Sequence, residues 1–220
     1  TGIVIVLISG DWHGQAFGLD GYIVSGALAG LFGYLGLACL YEGLSTGRMG
    51  VVSPISSMSA VIPLVYALIT GDKLSTLASI GIVVALVGVF CASGPELSNG
   101  LPIKPLLLAL GAAAGFGMSL TFMSIGSQES ALLTMVSMRG ATFFVTIALA
   151  LKFRTTGKFS KKDLPTLIFI GAADFLANLL LGVATTKGLV SVAMVFGSLY
   201  PIATALLAFK FLNERLHKVQ

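Results

Sequence analysis

Charge is scarce in this sequence. Lys, Arg, Asp and Glu together make up 10% of its 220 residues, where soluble chains carry about 25%. Against them stand 56% hydrophobic residues and a mean hydropathy of +0.98. Thirteen Lys+Arg and nine Asp+Glu cannot coat a globule of 22.7 kDa, so a soluble domain is excluded. Disorder is excluded too, because the 27 glycines and 7 prolines sit inside apolar runs. Cysteine and histidine are nearly absent, two of each. Cys39 and Cys91 lie deep in apolar segments without CxxC spacing and read as small buried hydrophobes. His13 and His217 are far apart and no carboxylate cluster joins them, so no metal site is expected. GxxxxGK[ST], GxSxG and HExxH are all missing. No catalytic residue, cofactor or ATP-binding element is therefore expected, and the chain is read as not an enzyme. The apolar start Thr1-Gly2-Ile3 has neither Met nor a basic n-region, so no signal peptide is read.

What is present is a succession of apolar runs near twenty residues long. Seven complete spans are marked at residues 22–41, 49–70, 74–92, 106–128, 130–151, 164–186 and 189–209. Residues 1–9 are too few to cross and read as the tail of a cut span. In lipid every backbone N–H and C=O must pair within its own segment, and no alternating strand pattern occurs, so the spans are expected to be helices. The fold class is an all-α, polytopic membrane protein. A tight turn is expected at Gln128-Glu129, where two spans almost touch.

Seven crossings assign each connection to one side. One side receives Arg48, Lys104, Lys152, Arg154, Lys158, Lys161, Lys162, Lys210, Arg215 and Lys218, which is ten; the other receives Lys73 and Lys187, which is two. The positive-inside rule makes the ten-charge side cytoplasmic. The net charge of +4 is thereby an orientation signal, and no nucleic-acid partner is expected.

An internal repeat is visible. A shift of 138 residues lays Gly50-Val51-Val52-Ser53 on Gly188-Leu189-Val190-Ser191, Pro63 on Pro201, Ala67 on Ala205 and Leu68 on Leu206. Four residues of slack then bring Asp72-Lys73-Leu74 onto Glu214-Arg215-Leu216. The two copies lie five spans apart, an odd number, so they cross in opposite senses. That is an inverted-topology repeat of the kind found in secondary transporters. A span follows the first copy and none follows the second. The expectation is two five-helix units, seven complete spans of an inferred ten. The first unit covers residues 1–94, a linker 95–104, and the second 105–220.

The strings GVVSPISSMSAVIP and GDKLSTLASIGIVVALVGV within residues 49–92 resemble the second part of an EamA-type repeat of the drug/metabolite transporter superfamily. GLVSVAMVFGSLYPIATALLAFKFLNERLHKVQ, residues 188–220, resembles the corresponding part of the second repeat. The family's marks fall on Pro63, Pro201 and Glu214-Arg215-Leu216, with Asp72 standing where the first copy usually has Glu. The resemblance implies a multi-pass protein of the inner (plasma) membrane. It further implies a secondary transporter that exports amino acids, related metabolites or drugs by alternating access. It also implies cytoplasmic termini, the opposite orientation to the charge count.

Two formal charges lie well inside spans, Arg139 and Asp174. Each costs roughly 2.5–3.5 kcal/mol near a helix centre on the insertion scale, so each should face a cavity or a partner. Their depths match, and an Arg139–Asp174 pair is the cheapest arrangement, serving either substrate binding and coupling or structural pairing. Asn178, four residues past Asp174, shares its helical face and suits either a polar ligand or an interhelical hydrogen bond. Pro63 and Pro201 each free a carbonyl and are expected helix kinks. Ser56 and Ser198 are the candidate cavity-facing hydroxyls, joined by Tyr200; serines also bond back to their own helix carbonyls. Gly26, Gly30 and Gly33, with Gly111 and Gly115, form small-residue stripes for close helix approach. Glu42 and Glu129 are expected to be solvated. The partners are a small-molecule solute, the bilayer, a proton carried by Asp174 or another coupling ion, and a second copy as a homodimer. A non-catalytic structural or assembly subunit is the rival reading. An enzyme acting on a lipid-linked substrate is a more distant one, since no acid–base set clusters at an interface.

Overall fold

The computed structural model describes residues 14–45, 49–92, 103–154 and 160–199. Residues 1–9, His13, Tyr200, Pro201, Glu214-Arg215-Leu216 and His217, all given a reading above, lie outside the described residues. Every described element is helical: α1 (Tyr22–Ser45), α2 (Met49–Ser57), a 3-10 turn (Met58–Ala60), α3 (Val61–Thr70), α4 (Thr76–Ala92), α5 (Ile103–Phe153), a second 3-10 turn (Lys161–Asp163), α6 (Leu164–Lys187) and α7 (Val190–Gly197). By length and composition, α1, α5 and α6 are long and apolar enough to cross a membrane. An all-helical protein with such helices is what a hydrocarbon solvent permits, because helices close their backbone hydrogen bonds locally.

The 51-residue α5 is two helices joined at one residue. Ser130 has extended backbone angles (φ −159°, ψ 110°), one residue past the expected turn. Its hydroxyl accepts from the N–H of Leu133 at 3.3 Å, as an N-cap does for the second arm. The chain doubles back at this residue, so that the ends of the two arms, 122–129 and 131–137, lie side by side. A Cβ on Gly126 would lie 2.8 Å from Thr134 Oγ1, whereas eight residues of continuous helix would span about 12 Å.

The expected span at 49–70 is a helix, a 3-10 turn and a second helix. The cause is Pro63, which has no N–H and whose ring would clash with the carbonyl four residues earlier, at Ser59. The irregular turn covers that residue. α3 ends on Gly71, whose positive φ of 116° is a left-handed C-cap that a side chain would strain. The N–H groups of Gly71 and Asp72 both donate to Ala67 O.

The chain divides into two compact units, Thr1–Leu31 with Phe122–Lys187 and Phe32–Thr121 with Gly188–Gln220. In the first unit, α1 runs parallel to the second arm of α5. A Cβ on Gly26 would lie 2.6 Å from Thr134 O, and one on Gly30 would meet Met138 O and Ala141. α6 buries the stripe Phe175, Gly182 and Thr185, with Gly182 against Ser127 Oγ at 2.7 Å from its would-be Cβ. In the second unit, the rest of α1 runs antiparallel to the first arm of α5. Gly43 lies near Leu108, Gly111 near Cys39, and Gly115 against Gly36. α3, α4 and α7 share an apolar cluster of Leu64, Ile82 and Val195, flanked by Leu74, Ala85 and Leu86.

Four contacts, five hydrogen bonds in all, tie connections, or helix ends beside them, to one another within these units. Gln15 N–H donates to Glu129 Oε2 (2.8 Å), and Gln128 Nε2 to Thr185 O (3.1 Å). Lys104 Nζ pairs with Glu42 Oε1 (3.0 Å). Ser191 N–H and Oγ both donate to Asp72 Oδ2 (3.0 and 2.8 Å). Each contact joins segments that alternate crossing assigns to the same side of the bilayer.

Candidate functional site

Arg139 stands on the second arm of α5 and Asp174 on α6, both in the first unit. Arg139 Nη2 donates to Asp174 Oδ2 in a close ion pair. Asn178 is one helical turn beyond Asp174, and its Nδ2 donates to Asp174 Oδ1 at 3.1 Å and to Asp174 O at 2.8 Å. Each oxygen of the carboxylate therefore has a donor, one from the neighbouring helix and one from its own. Asn178 fixes the rotamer of Asp174, and the rotamer presents Oδ2 to the guanidinium.

The pair is only partly covered. The Arg139 side chain is 35% exposed and that of Asp174 53%. α6 buries one narrow stripe, and Asp174 sits beside it, adjacent in sequence to the buried Phe175. Leu167, Ile168, Phe169, Ile170, Leu176 and Leu180 on the same helix are exposed. A carboxylate with an open flank and a guanidinium beside it can take a cationic, anionic or zwitterionic group by exchanging one partner for the ligand.

Ser56 and Ser198, in the second unit, are each 3% exposed. Ser56 Oγ donates to Ser53 O at 3.0 Å and Ser198 Oγ to Val195 O at 2.7 Å. Both hydroxyls thus bond back onto their own helices, and neither bonds the Arg139, Asp174 and Asn178 group. Pro63 is fully buried. Tyr200 and Pro201 fall outside the described residues. Glu42 and Glu129, expected to be solvated, are exposed and also bonded, to Lys104 and to the Gln15 N–H.

Sequence reasoning gave no contact to Asp72 and Ser191. Both carried a signal, as marks of the repeat, but that signal said nothing of which copy touches which. It also passed over the hydroxyls of α5. Ser119, Thr121, Ser124, Ser127 and Thr134 are buried, and among the described residues Ser127 Oγ and Thr134 Oγ1 have no hydrogen-bond partner.

Among the described residues every element is helical and three helices are long and apolar enough to cross a membrane, the build of a membrane protein. A model of the EamA-like transporter family matches residues 103–220, more than half of the chain, and the chain belongs to that family. No curated protein and no solved structure matches it.

Proposed function

We propose that the protein is a secondary active transporter that exports small organic metabolites, such as amino acids or drugs, by alternating access. Membership of the EamA-like family supplies the kind of function, a drug/metabolite transporter in a membrane. The observation that carries the site is the half-exposed Arg139–Asp174 pair with Asn178 on its second oxygen. Charges on apolar helices are costly unless a cavity, a ligand or a partner receives them. In this reading Arg139 and Asp174 bind solute or coupling ion, Asp174 carries the proton, and Asn178 holds it in register.

The architecture proposed with it is a pair of inverted five-helix units, 1–94 and 105–220 around a linker, in a multi-pass protein of the inner membrane. The family match begins at residue 103, two residues before the second unit. Helix directions support alternate crossing: α1 is antiparallel to the first arm of α5 and parallel to the second. Pro63 and Pro201 would open their helices beside the transport path, with Ser56, Ser198 and Tyr200 lining it after rearrangement. A homodimer is the proposed assembly.

The test uses the full-length protein. A thermal-shift screen against amino acids, purines and cationic drugs identifies a solute, which is then loaded into vesicles carrying an imposed pH gradient. Asp174→Asn should abolish gradient-driven flux while leaving solute exchange at zero gradient measurable. Full gradient-driven flux in Asp174→Asn would remove Asp174 from coupling.

A further inference from the structure

Asp72 occupies the connection between α3 and α4, and its position there is fixed. Gly71 caps α3 in the left-handed conformation, and the Asp72 N–H is held by Ala67 O at 2.9 Å. The side chain is half-buried and reaches 119 residues along the chain to the start of α7. There one oxygen, Oδ2, accepts from both the backbone N–H and the hydroxyl of Ser191, which is itself completely buried. A carboxylate at a helix N-terminus is favoured by the helix dipole and by charge-assisted hydrogen bonds.

Two further observations say what this contact holds in place. The division between the compact units falls at Lys187/Gly188, three residues before Ser191. A Cβ on Gly188 would meet nothing within 4 Å, so packing does not restrain that point. α7 therefore enters the second unit at an unpacked glycine, and its first turn is tied there by Asp72. The rest of α7 is held by apolar packing of Val195 with Leu64 and Ile82, which is not directional.

We propose that Asp72 is a positioning residue for transport. Its carboxylate latches the first turn of α7 to the end of α3, and release of α7 about Gly188 is a step of the transport cycle. The inference rests on the alternating-access function proposed above. Its test is read in the resting protein without solute, so failure of the latch leaves that function standing.

Full-length protein with Cys39 and Cys91 replaced by alanine receives one reporter, Met194→Cys on α7 or Met135→Cys on α5; both methionines are fully buried. The rate of alkylation by a membrane-impermeant maleimide is measured in membranes. With Met194→Cys, Asp72→Ala should raise the rate by at least roughly tenfold to a hundredfold, the range for losing even one of its two bonds to the charged group. Ser191→Ala, which keeps the backbone bond, should raise it less. Asp72→Asn, which keeps an acceptor oxygen, should restore most of the protection. The Met135→Cys rate should not change in any of these variants. An unchanged Met194→Cys rate in Asp72→Ala overturns the latch, and so does an equal rise at both reporters, which would mean general loosening. If Asp72→Ala does not fold, the same comparison in Ser191→Ala decides.

Discussion

Adding one methyl group at Gly115 should separate two helices. A Cβ there would lie 2.6 Å from Gly36 Cα, 2.7 Å from Gly36 N and 2.9 Å from Phe32 O. All three are backbone atoms of α1, so no side chain can swing away. Ordinary carbon contacts are about 3.5–4.0 Å, so α1 and the first arm of α5 must part by roughly 1 Å at this point. A gap of that size forfeits a quarter to a half of each dispersion contact along the seam, and overpacking of this kind costs about 1–3 kcal/mol. Gly140 and Gly171 supply the control, since a Cβ at either meets nothing within 4 Å. There the same change relieves the entropic cost of glycine in a helix and should stabilise by roughly 0.5–1 kcal/mol. The assay is the thermal unfolding midpoint of the full-length protein in detergent, followed by fluorescence-detected size exclusion. At about 2–4 °C per kcal/mol for a chain of this size, Gly115→Ala should lower the midpoint by roughly 2–12 °C. Gly140→Ala and Gly171→Ala should leave it level or raise it. A Gly115→Ala midpoint within 1 °C of the parent, with a fall in Gly140→Ala, would refute the packing argument.

Arg139→Ala and Asp174→Ala should each lower yield and midpoint by stranding a charge on an apolar helix, while the swap Arg139→Asp with Asp174→Arg should recover part of the stability. Solute binding should not return with the swap, because the order of charges is reversed; full recovery of both would make the pair purely structural. Ser130→Ala removes the N-cap of the second arm of α5 and should cost about 1 kcal/mol, read as a lower midpoint. An unchanged midpoint would mean that the chain reversal at residue 130 does not depend on that hydroxyl.

The reversal itself was legible to within one residue, because two apolar runs too long for one crossing met at Gln128-Glu129. The Pro63 irregularity was legible as well, since the missing N–H is a property of the residue alone. The Arg139–Asp174 pairing followed from the cost of leaving either charge in lipid. The contact between Asp72 and Ser191 was not legible. It needs the end of α3 and the start of α7 to meet, and no local signal records that meeting. Nor did the small-residue stripes name their partners. Gly115 was marked, but Gly36 opposite it was not, because which glycine faces which depends on helix rotation and register.

The amino-acid sequence by itself determined that this is a helical membrane protein. Hydrocarbon leaves the backbone no other partner for its hydrogen bonds, and that constraint acts within each segment. Only the tertiary structure decided that Asn178 takes the second oxygen of Asp174, that Asp72 holds Ser191, and that Gly36 meets Gly115. The first is a choice of side-chain rotamer within one helix; the other two depend on how helices far apart in the chain are rotated and slid against one another, and many rotations satisfy the same apolar composition.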